Sequence, residues 1–182
     1  MKLKNKICTL VLAGVISIIP ILGANPVFAD EQNGGYYSYT DEQWKEECKE
    51  LNAILEKYDG QTFELKSPMS SVNRASRSYY SIGFEGGKIK LWKDGKQISY
   101  FTPTNRENIV GYGYVTRGNQ VLAAQVMLNF VMGSTYSKIS EDGIFGSGTY
   151  NKAKYFQSTS GLKSDGVVGP STWAKMLKIY GY

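Results

Sequence analysis

An internal repeat in the C-terminal third is the feature that most restricts how this chain can fold. Residues 142–152 align without a gap on residues 165–175 and share the pattern D-G-x-apolar-G-x-x-T-aromatic-x-K. An Asp-Gly pair is typical of a tight turn whose carboxylate binds nearby backbone amides, and the apolar residue after it suits a core. The second glycine allows the chain to turn into a helix. The repeat therefore predicts two short loops, each leading into a helix.

Apolar residues recur at helical spacing on both sides of the repeat, which indicates three helices. One helix precedes the first copy and one follows each copy. Pro170 suits the first turn of the last helix, and Gly161 suits the end of the helix before it. Residues 111–182 are therefore predicted to form a three-helix bundle. The residues expected to face its core are Val121, Ala124, Gln125 and Leu128, then Thr149, Ala153 and Phe156, and finally Trp173, Met176, Leu177 and Tyr180.

The repeated loop residues are assigned structural roles. Asp142 and Asp165 are expected to accept loop amides rather than to contact a ligand, and calcium ligation is disfavoured because the acidic spacing of an EF-hand is absent. Gln125 and Gln157 are expected to bond to the loop backbone. Two of the glycines are expected to adopt conformations that disfavour a side chain, namely Gly146 and Gly169. The other structural positions are Gly143, Gly166 and the core residue Trp173.

Two residues beside the core face form the candidate ligand-binding pair. Tyr150 and Lys154 lie one helical turn apart on the helix that follows the first copy. A tyrosine ring can stack on a sugar while its hydroxyl makes polar contacts, and a lysine ammonium can meet a carboxylate.

Residues 30–110 show a different pattern, which begins with one helix. Thr40 and Gln43 have the spacing of a capping box, so a helix is predicted over residues 41–58. Lys57 in the last turn and Gly60 beyond it suit its C-terminus. The residues that recur on its apolar face are Trp44, Cys48, Leu51, Leu55 and Tyr58.

Strands are predicted after this helix. Residues 67–78 contain Pro68 and five serines, which favours a linker or an exposed loop. Residues 79–101 alternate polar and apolar side chains between turn signals, and we expect a three-stranded antiparallel meander with the helix packed on its apolar face. The fold class is therefore α+β, with an N-terminal helix and a small meander followed by the three-helix bundle.

The turn at residues 94–95 sets the predicted register of the last hairpin. Asp-Gly is a strong signal for a two-residue turn that needs positive φ. Because side chains alternate between faces, this turn determines which residues share a face. The expected pairs on the apolar face are Leu91 with Ile98 and Ile89 with Tyr100.

The first 29 residues have the parts of a secretory signal peptide. A basic start precedes a mostly apolar stretch over residues 7–22, and Val27 and Ala29 place small residues before a cleavage point. An uncleaved membrane anchor is the alternative, because the apolar stretch approaches the length of a span. Pro20 and the cleavage-like end favour removal. The prediction is a secreted or wall-associated protein with no stable membrane insertion after cleavage.

Residue types that are missing restrict the chemistry. The chain has no histidine, which excludes serine-histidine and cysteine-histidine hydrolases and histidine-ligated zinc. Only Cys48 follows the signal segment, so neither an internal disulfide nor a four-cysteine zinc site can form. Cys48 is expected to act as a small buried hydrophobe. The signal segment holds three of the 21 basic residues and none of the 16 acidic ones, so little net charge remains to attract nucleic acid. We predict no metal and no cofactor.

Residues 115–179 resemble the bacterial peptidoglycan-binding domain that is found appended to cell-wall hydrolases. The resemblance implies a three-helix fold that holds cell-wall glycan-peptide non-covalently, and it implies no catalysis by this domain. The N-terminal region resembles no family that we can name. The residues that carry the resemblance are Arg117-Gly118, Val121, Gln125, Leu128, the run from Asp142 to Thr149, Phe156-Gln157, Gly161-Leu162 and the run from Asp165 to Trp173.

The leading prediction is a secreted, non-catalytic peptidoglycan-binding protein of a Gram-positive bacterium, with no catalytic residues. One alternative is a small glycan hydrolase, because glycosidases need only two suitably spaced carboxyls, and Glu64, Glu85 and Asp94 lie near the strands. Against it, Glu85 and Asp94 fall in predicted turns, where solvent keeps them ionised. The other alternative is an interaction protein whose residues 30–110 bind an unknown protein partner while the bundle tethers it.

Overall fold

A computed structural model of the protein describes residues 39–65, 79–133 and 135–181. The predicted signal peptide and the predicted linker at residues 67–78 lie outside these ranges. Within them, no α-helix combines the length and the apolar character that a bilayer span requires. The elements in chain order are α1 (Asp41–Lys57), β1 (Thr62–Leu65), β2 (Tyr80–Glu85), β3 (Lys88–Lys93), β4 (Lys96–Phe101), α2 (Asn119–Met132), α3 (Ser147–Thr159) and α4 (Pro170–Tyr180).

Helix α1 begins with the predicted capping box. The Gln43 N–H donates to Thr40 Oγ1 at 3.2 Å, and the Thr40 N–H donates to Gln43 Oε1 at 2.9 Å. Trp44 and Tyr58, at the two ends of the predicted apolar face, are half-buried. The face is therefore continuous, with its centre in the core. The fully buried residues of α1 are Cys48, Leu51, Ile54 and Leu55.

The four strands form one antiparallel sheet in the order β1-β2-β3-β4. The predicted meander corresponds to β2, β3 and β4. Strand β1 was not predicted; it has only four residues and pairs with β2 at the edge of the sheet. Phe63 of β1 packs against Tyr58 and Phe84, with ring centroids 5.6 and 6.3 Å away. The edge strand thus extends the core toward the end of α1.

The predicted register of the β3–β4 hairpin is wrong beyond the turn. A bulge between Leu91 and Trp92 shifts the ladder by one residue, because an extra residue on one strand has no partner on the other. The shift turns Phe101 into the core and leaves Tyr100 42% exposed on the outer face. The observed pairs are Leu91 with Ser99 and Ile89 with Phe101, in place of Ile98 and Tyr100.

The three C-terminal helices lie where the repeat and its flanking residues place them. Helix α2 is the central element, because it packs against β4 on one side and against α3 and α4 on others. A helix in that position must be apolar on nearly every face. The buried residues of α2 are Val121, Ala123, Ala124, Gln125, Val126, Met127, Leu128 and Met132.

The N-terminal elements and the C-terminal helices share one core. We expected α1 to cover the sheet, but its main partner is α4, whereas α2 covers β4. Across the α1–α4 contact, the Ser171 hydroxyl donates to the Glu47 carboxylate. The Phe101 ring of β4 lies 5.4 Å from the buried Trp173 ring of α4. The predicted domain boundary near residue 110 therefore stays a prediction. The packed core continues across it.

Candidate functional site

A buried glutamine organises the first Asp-Gly loop, residues 142–146. Gln125 Oε1 accepts the Gly143 N–H at 2.8 Å, while Gln125 Nε2 donates to Asp142 Oδ1 and to the Ile144 carbonyl, both at 2.9 Å. Asp142 Oδ1 also accepts the Ile144 N–H at 2.9 Å. The hydrogen bond from Gln125, followed by the one from Ile144, lowers the pKa of the Asp142 carboxyl.

The second Asp-Gly loop, residues 165–169, repeats this arrangement. Gln157 Oε1 accepts the Gly166 N–H at 2.7 Å, and Gln157 Nε2 donates to Asp165 Oδ1 at 3.0 Å and to the Val167 carbonyl at 2.8 Å. Asp165 Oδ1 accepts the Val167 N–H at 2.8 Å. Both glutamines therefore bond to their loops as expected, and one oxygen of each aspartate is engaged within its own loop.

The glycines that require a special conformation are not the ones predicted. Gly146 and Gly169 are extended, with φ of −104° and −102°, and a Cβ at either would have no neighbour within 4 Å. The prediction for these two was wrong because a residue that precedes a helix is normally extended. Gly143 and Gly166 instead have φ of 71° and 75°, which favours glycine.

Tyr150 and Lys154 lie together, and a third residue joins them. The Lys154 ammonium is 5.4 Å from the centroid of the Tyr150 ring, and the Tyr112 ring lies 5.3 Å from that of Tyr150. Tyr112 is 38% exposed. We call Tyr112, Tyr150 and Lys154 the tyrosine patch. Tyr112 was not among the predicted site residues, because no local spacing in the sequence relates it to α3.

Both loops hold the tyrosine patch in place. Phe145 of the first loop is buried and contacts Tyr112 edge-on, with ring centroids 5.2 Å apart. Gly166 of the second loop lies so close to the Tyr150 ring that a Cβ there would overlap it. The patch is therefore positioned by both loops of the repeat and carries two rings and one positive charge.

A separate cleft of about 300 Å³ lies between the start of α1 and the second loop. On the α1 side, the rings of Tyr39 and Trp44 meet edge-on with centroids 5.5 Å apart, and Glu47 follows one turn later. This cleft was not predicted from the sequence, because its two sides are far apart in the chain and the α1 side has no recognisable motif. The rest of the lining includes Tyr114, Leu162, Lys163, Asp165 and Ser171.

A buried polar cluster joins α2, α3 and β2. Lys152 is fully buried, and its ammonium donates to Asn129 Oδ1 at 2.7 Å and to the Ser137 carbonyl at 3.2 Å. Asn129 also donates to Glu141, which accepts a second hydrogen bond from the Tyr80 hydroxyl. Burial lowers the pKa of Lys152 to about 8, because desolvation disfavours the charged form. Burial alone would raise the pKa of Glu141, but these hydrogen bonds outweigh it and lower that pKa.

Cys48 has the environment of a structural cysteine. Its thiol is buried in α1, with Sγ 3.9 Å from the Thr104 carbonyl. Burial, followed by the charge of Glu47, raises the pKa of Cys48 to about 11. The thiol is therefore protonated at neutral pH and lacks the thiolate that a nucleophile needs.

Two of the carboxylates considered for glycan hydrolysis, Glu85 and Asp94, lie at opposite ends of β2. Glu85 ends β2 and forms an ion pair with Lys90, whereas Asp94 accepts the N–H of Tyr79 at 2.8 Å beside the start of that strand. The strand separates the two by roughly 17 Å, whereas glycosidase pairs lie at most about 9.5 Å apart. Glu64 is exposed on the neighbouring edge strand. The described residues contain no His, Cys, Asp and Glu cluster that could hold a metal ion.

Comparison with protein families identifies the region that holds both loops. Residues 117–176 match the family model "Putative peptidoglycan binding domain". The resemblance found in the sequence at residues 115–179 is thereby confirmed. The match spans α2, α3 and the part of α4 up to residue 176, and it leaves α1 and the sheet outside. It supports peptidoglycan as the ligand of this region.

Two individual proteins are similar to parts of the chain. An uncharacterized protein in the bpoA1 3' region of Kitasatospora aureofaciens is 54% identical over 35 residues, which is 19% of this chain and 30% of that protein. The chain thus matches only about 30% of the length of this curated relative. The second is a peptidoglycan-binding protein from Clostridioides difficile, known from a crystal structure in complex with glutamine hydroxamate. Its sequence is 25% identical to this chain, and the alignment covers 79% of this chain and 90% of that protein's chain. Its TM-score of 0.45 is too low to establish a common fold.

Proposed function

We propose that this is a secreted, non-catalytic protein of the Gram-positive cell wall that binds peptidoglycan through the tyrosine patch. The observation that carries the proposal is the match of residues 117–176 to a peptidoglycan-binding family. The patch lies on that region, because Tyr150 and Lys154 belong to α3. Tyr112 adds a second ring from just before the matched region.

The chemistry of the tyrosine patch suits the two components of peptidoglycan. Its paired rings offer flat apolar surface for the C–H faces of sugars, and the tyrosine hydroxyls can bond to sugar hydroxyls. The Lys154 ammonium, held over the Tyr150 ring, can form a charge-assisted hydrogen bond with a stem-peptide carboxylate. One contact surface can therefore recognise glycan and peptide together.

Three features of the chain favour binding without catalysis. It contains no histidine. Its described thiol, Cys48, is buried and protonated at neutral pH. Glu85 and Asp94 lie too far apart to divide acid and nucleophile roles on one glycosidic bond.

Sedimentation of the full chain with purified sacculi tests the proposal. We expect the parent protein to sediment and Tyr150→Ala to bind about fivefold more weakly or worse, which corresponds to a loss of about 1 kcal/mol. Tyr155→Ala is the matched control, because Tyr155 lies on the same helix, is 40% exposed and packs against Tyr136 instead. That control is expected to bind like the parent.

Two outcomes would contradict parts of this proposal. A folded parent protein that stays in the supernatant would exclude wall binding. Equal loss in Tyr150→Ala and Tyr155→Ala would exclude the tyrosine patch as the specific contact. A zymogram on cell-wall substrate is expected to show no clearing, and a cleared band would establish hydrolase activity instead.

A further inference from the structure

We propose that the cleft between α1 and the second loop binds an N-acetylated hexosamine ring of the glycan strand. This inference rests on the proposed function, since it names the component of peptidoglycan that one further site recognises. The cleft is distinct from the tyrosine patch. The side of the cleft that α1 forms lies outside the matched residues 117–176. The proposal therefore assigns the N-terminal region a contact with peptidoglycan.

The size of the cleft suits a small ligand. Its volume of about 300 Å³ lies at the lower end of the range of small-molecule sites, about 300–1,000 Å³. Such a volume admits a sugar ring with its substituents and is too small for a folded partner. The cleft can therefore hold one part of a glycan chain while the rest continues over the surface.

The lining combines aromatic rings with hydroxyl and carboxylate groups. Tyr39, Trp44 and Tyr114 supply flat apolar surface, and a pyranose ring has a C–H face that packs on such rings. Ser171 and Glu47 lie in the same cleft and can bond to sugar hydroxyls. Leu162 adds an apolar contact suited to the methyl of an acetamido group. This mixture of flat apolar and hydrogen-bonding surface matches a carbohydrate.

The charges in the cleft favour a ligand without net charge. Glu47 and Asp165 are acidic and Lys163 is basic, and all three line the same volume. A phosphate or a free carboxylate would be attracted by one of these groups and repelled by the other two. A neutral N-acetylated sugar avoids that repulsion and still offers donors and acceptors to both kinds of group.

The α1 wall of the cleft is fixed before any ligand arrives. The Trp44 indole N–H donates to the Thr104 carbonyl at 3.1 Å, and the Arg106 guanidinium lies 5.4 Å from the Trp44 ring. Glu47 is tied to the second wall because it accepts a hydrogen bond from Ser171. A wall that is already ordered loses little conformational entropy on binding.

Tryptophan fluorescence of the full chain gives a direct test without altering the cleft. The chain has three tryptophans, of which Trp173 is fully buried and Trp92 lies on the sheet. In a Trp92→Phe chain, titration with di-N-acetylchitobiose is expected to give a saturable change in Trp44 emission. Cellobiose, which lacks the acetamido groups, is expected to bind at least tenfold more weakly. A flat response to di-N-acetylchitobiose, or equal binding of both sugars, would overturn the inference.

Sacculus binding gives the second test. Trp44→Leu is expected to weaken sedimentation of the full chain at least fivefold, and the matched control Trp92→Leu is expected to leave it unchanged. If Trp44→Leu loses its helical circular-dichroism signal, the fluorescence titration alone decides. A parent that sediments while the titration is flat excludes the sugar cleft and keeps the proposed function. A parent that binds di-N-acetylchitobiose but not sacculi supports the cleft and removes the proposed function.

Discussion

The first and second Asp-Gly loops use the same hydrogen bonds in different surroundings. In each, a glutamine from the preceding helix bonds to the loop aspartate and carbonyl at 2.8–3.0 Å, and each loop has one glycine with φ near 70°. Gly143 of the first loop faces the backbone of Gly118, whereas Gly166 of the second faces the ring of Tyr150. The shared bonds build the loop, and the neighbours determine which surface the loop supports.

The helices that follow the two loops differ in the same way. Lys152 and Lys175 occupy matching positions of the repeat. Lys152 is fully buried in the polar cluster with Asn129 and Glu141, whereas Lys175 is partly exposed. Identical residues at matching positions therefore need not have identical environments, because Asn129 of α2 and the Ser137 carbonyl of the loop before α3 surround Lys152.

Alanine substitution of the two positive-φ glycines should give the largest losses of stability and should affect the two loops differently. Gly166→Ala is expected to lower the free energy of unfolding by about 3 kcal/mol, since left-handed strain adds to displacement of the Tyr150 ring. Gly143→Ala should cost about 1–2 kcal/mol, because its Cβ would lie 3.1 Å from the Gly118 carbonyl oxygen with less to displace. Urea denaturation measures both, and equal losses would show that the ring contact is unimportant.

Leucine at the two glutamines should show that the loops are built alike. Gln125→Leu and Gln157→Leu are each expected to lower the free energy of unfolding by about 2 kcal/mol, because buried loop amides lose their acceptor. The two losses should agree within the error of thermal or urea unfolding. Gln97→Leu, at an exposed position of β4, is the control and should match the parent. A large difference between the two glutamine variants would contradict the equivalence of the loops.

The buried lysine of the first copy, Lys152, predicts a pH effect on stability. The folded state holds the pKa of Lys152 at about 8, below the ordinary value of 10.5, so it binds fewer protons than the unfolded state between these values. The parent should therefore gain stability relative to Lys152→Met, by about 1 kcal/mol or more, as pH rises from 7 to 10. Urea titrations at several pH values measure this difference.

The effect of Lys152 must be measured as the difference in stability between parent and variant, because two other groups change the stability in the opposite direction as pH rises. The pKa values of Cys48 and Tyr80 are raised in the folded state, so both lose stabilisation as pH rises through that range and above it. Both remain present in parent and variant. Lys175→Met, which removes a lysine at the matching but partly exposed position, is the control. A Lys152→Met profile parallel to that of the parent would contradict the prediction.

The smallest expected effect concerns the loop aspartates. Asp142→Ala and Asp165→Ala should each lower the melting temperature modestly, because loop amides lose an acceptor, and Asp142→Ala should leave sacculus affinity unchanged below the transition. The Asp142 contribution should be present above pH 4 and fade as the pH falls toward its lowered pKa. An Asp142→Ala protein that melts like the parent but fails to bind would make that carboxylate a ligand contact.

Local signals in the sequence were enough to place most of the elements. The capping box at Thr40 and the turn at residues 94–95 involve neighbours in the chain, and both are present. The repeat also located α3 and α4, because each of these helices directly follows one Asp-Gly loop. Each loop is completed by a glutamine of the helix before it. Features of this kind depend on short-range geometry that a sequence pattern records directly.

The features that sequence analysis missed depend on distant residues. The bulge beside Leu91 offsets the hairpin because Phe101, not Tyr100, packs on Trp173 of α4. The second ring of the tyrosine patch and the cleft both come from parts of the chain that meet only in the folded state. Lys152 has the spacing of an ordinary helix residue, and nothing local indicates that α2 and the loop before α3 enclose it.

The packing of α1 against α4 has a consequence for the order of folding during synthesis. The two helices face each other in one core, with an ion pair between Glu50 and Lys178 at its edge. A chain that emerges from its N-terminus presents α1 and the sheet well before α4. The apolar side of α1, including Cys48 and Leu51, therefore stays exposed until α4 has been synthesised. During that interval holdase chaperones and proteases can reach it. Secretion as an unfolded chain would suit such a protein, since its native core is complete only when α4 has packed against α1.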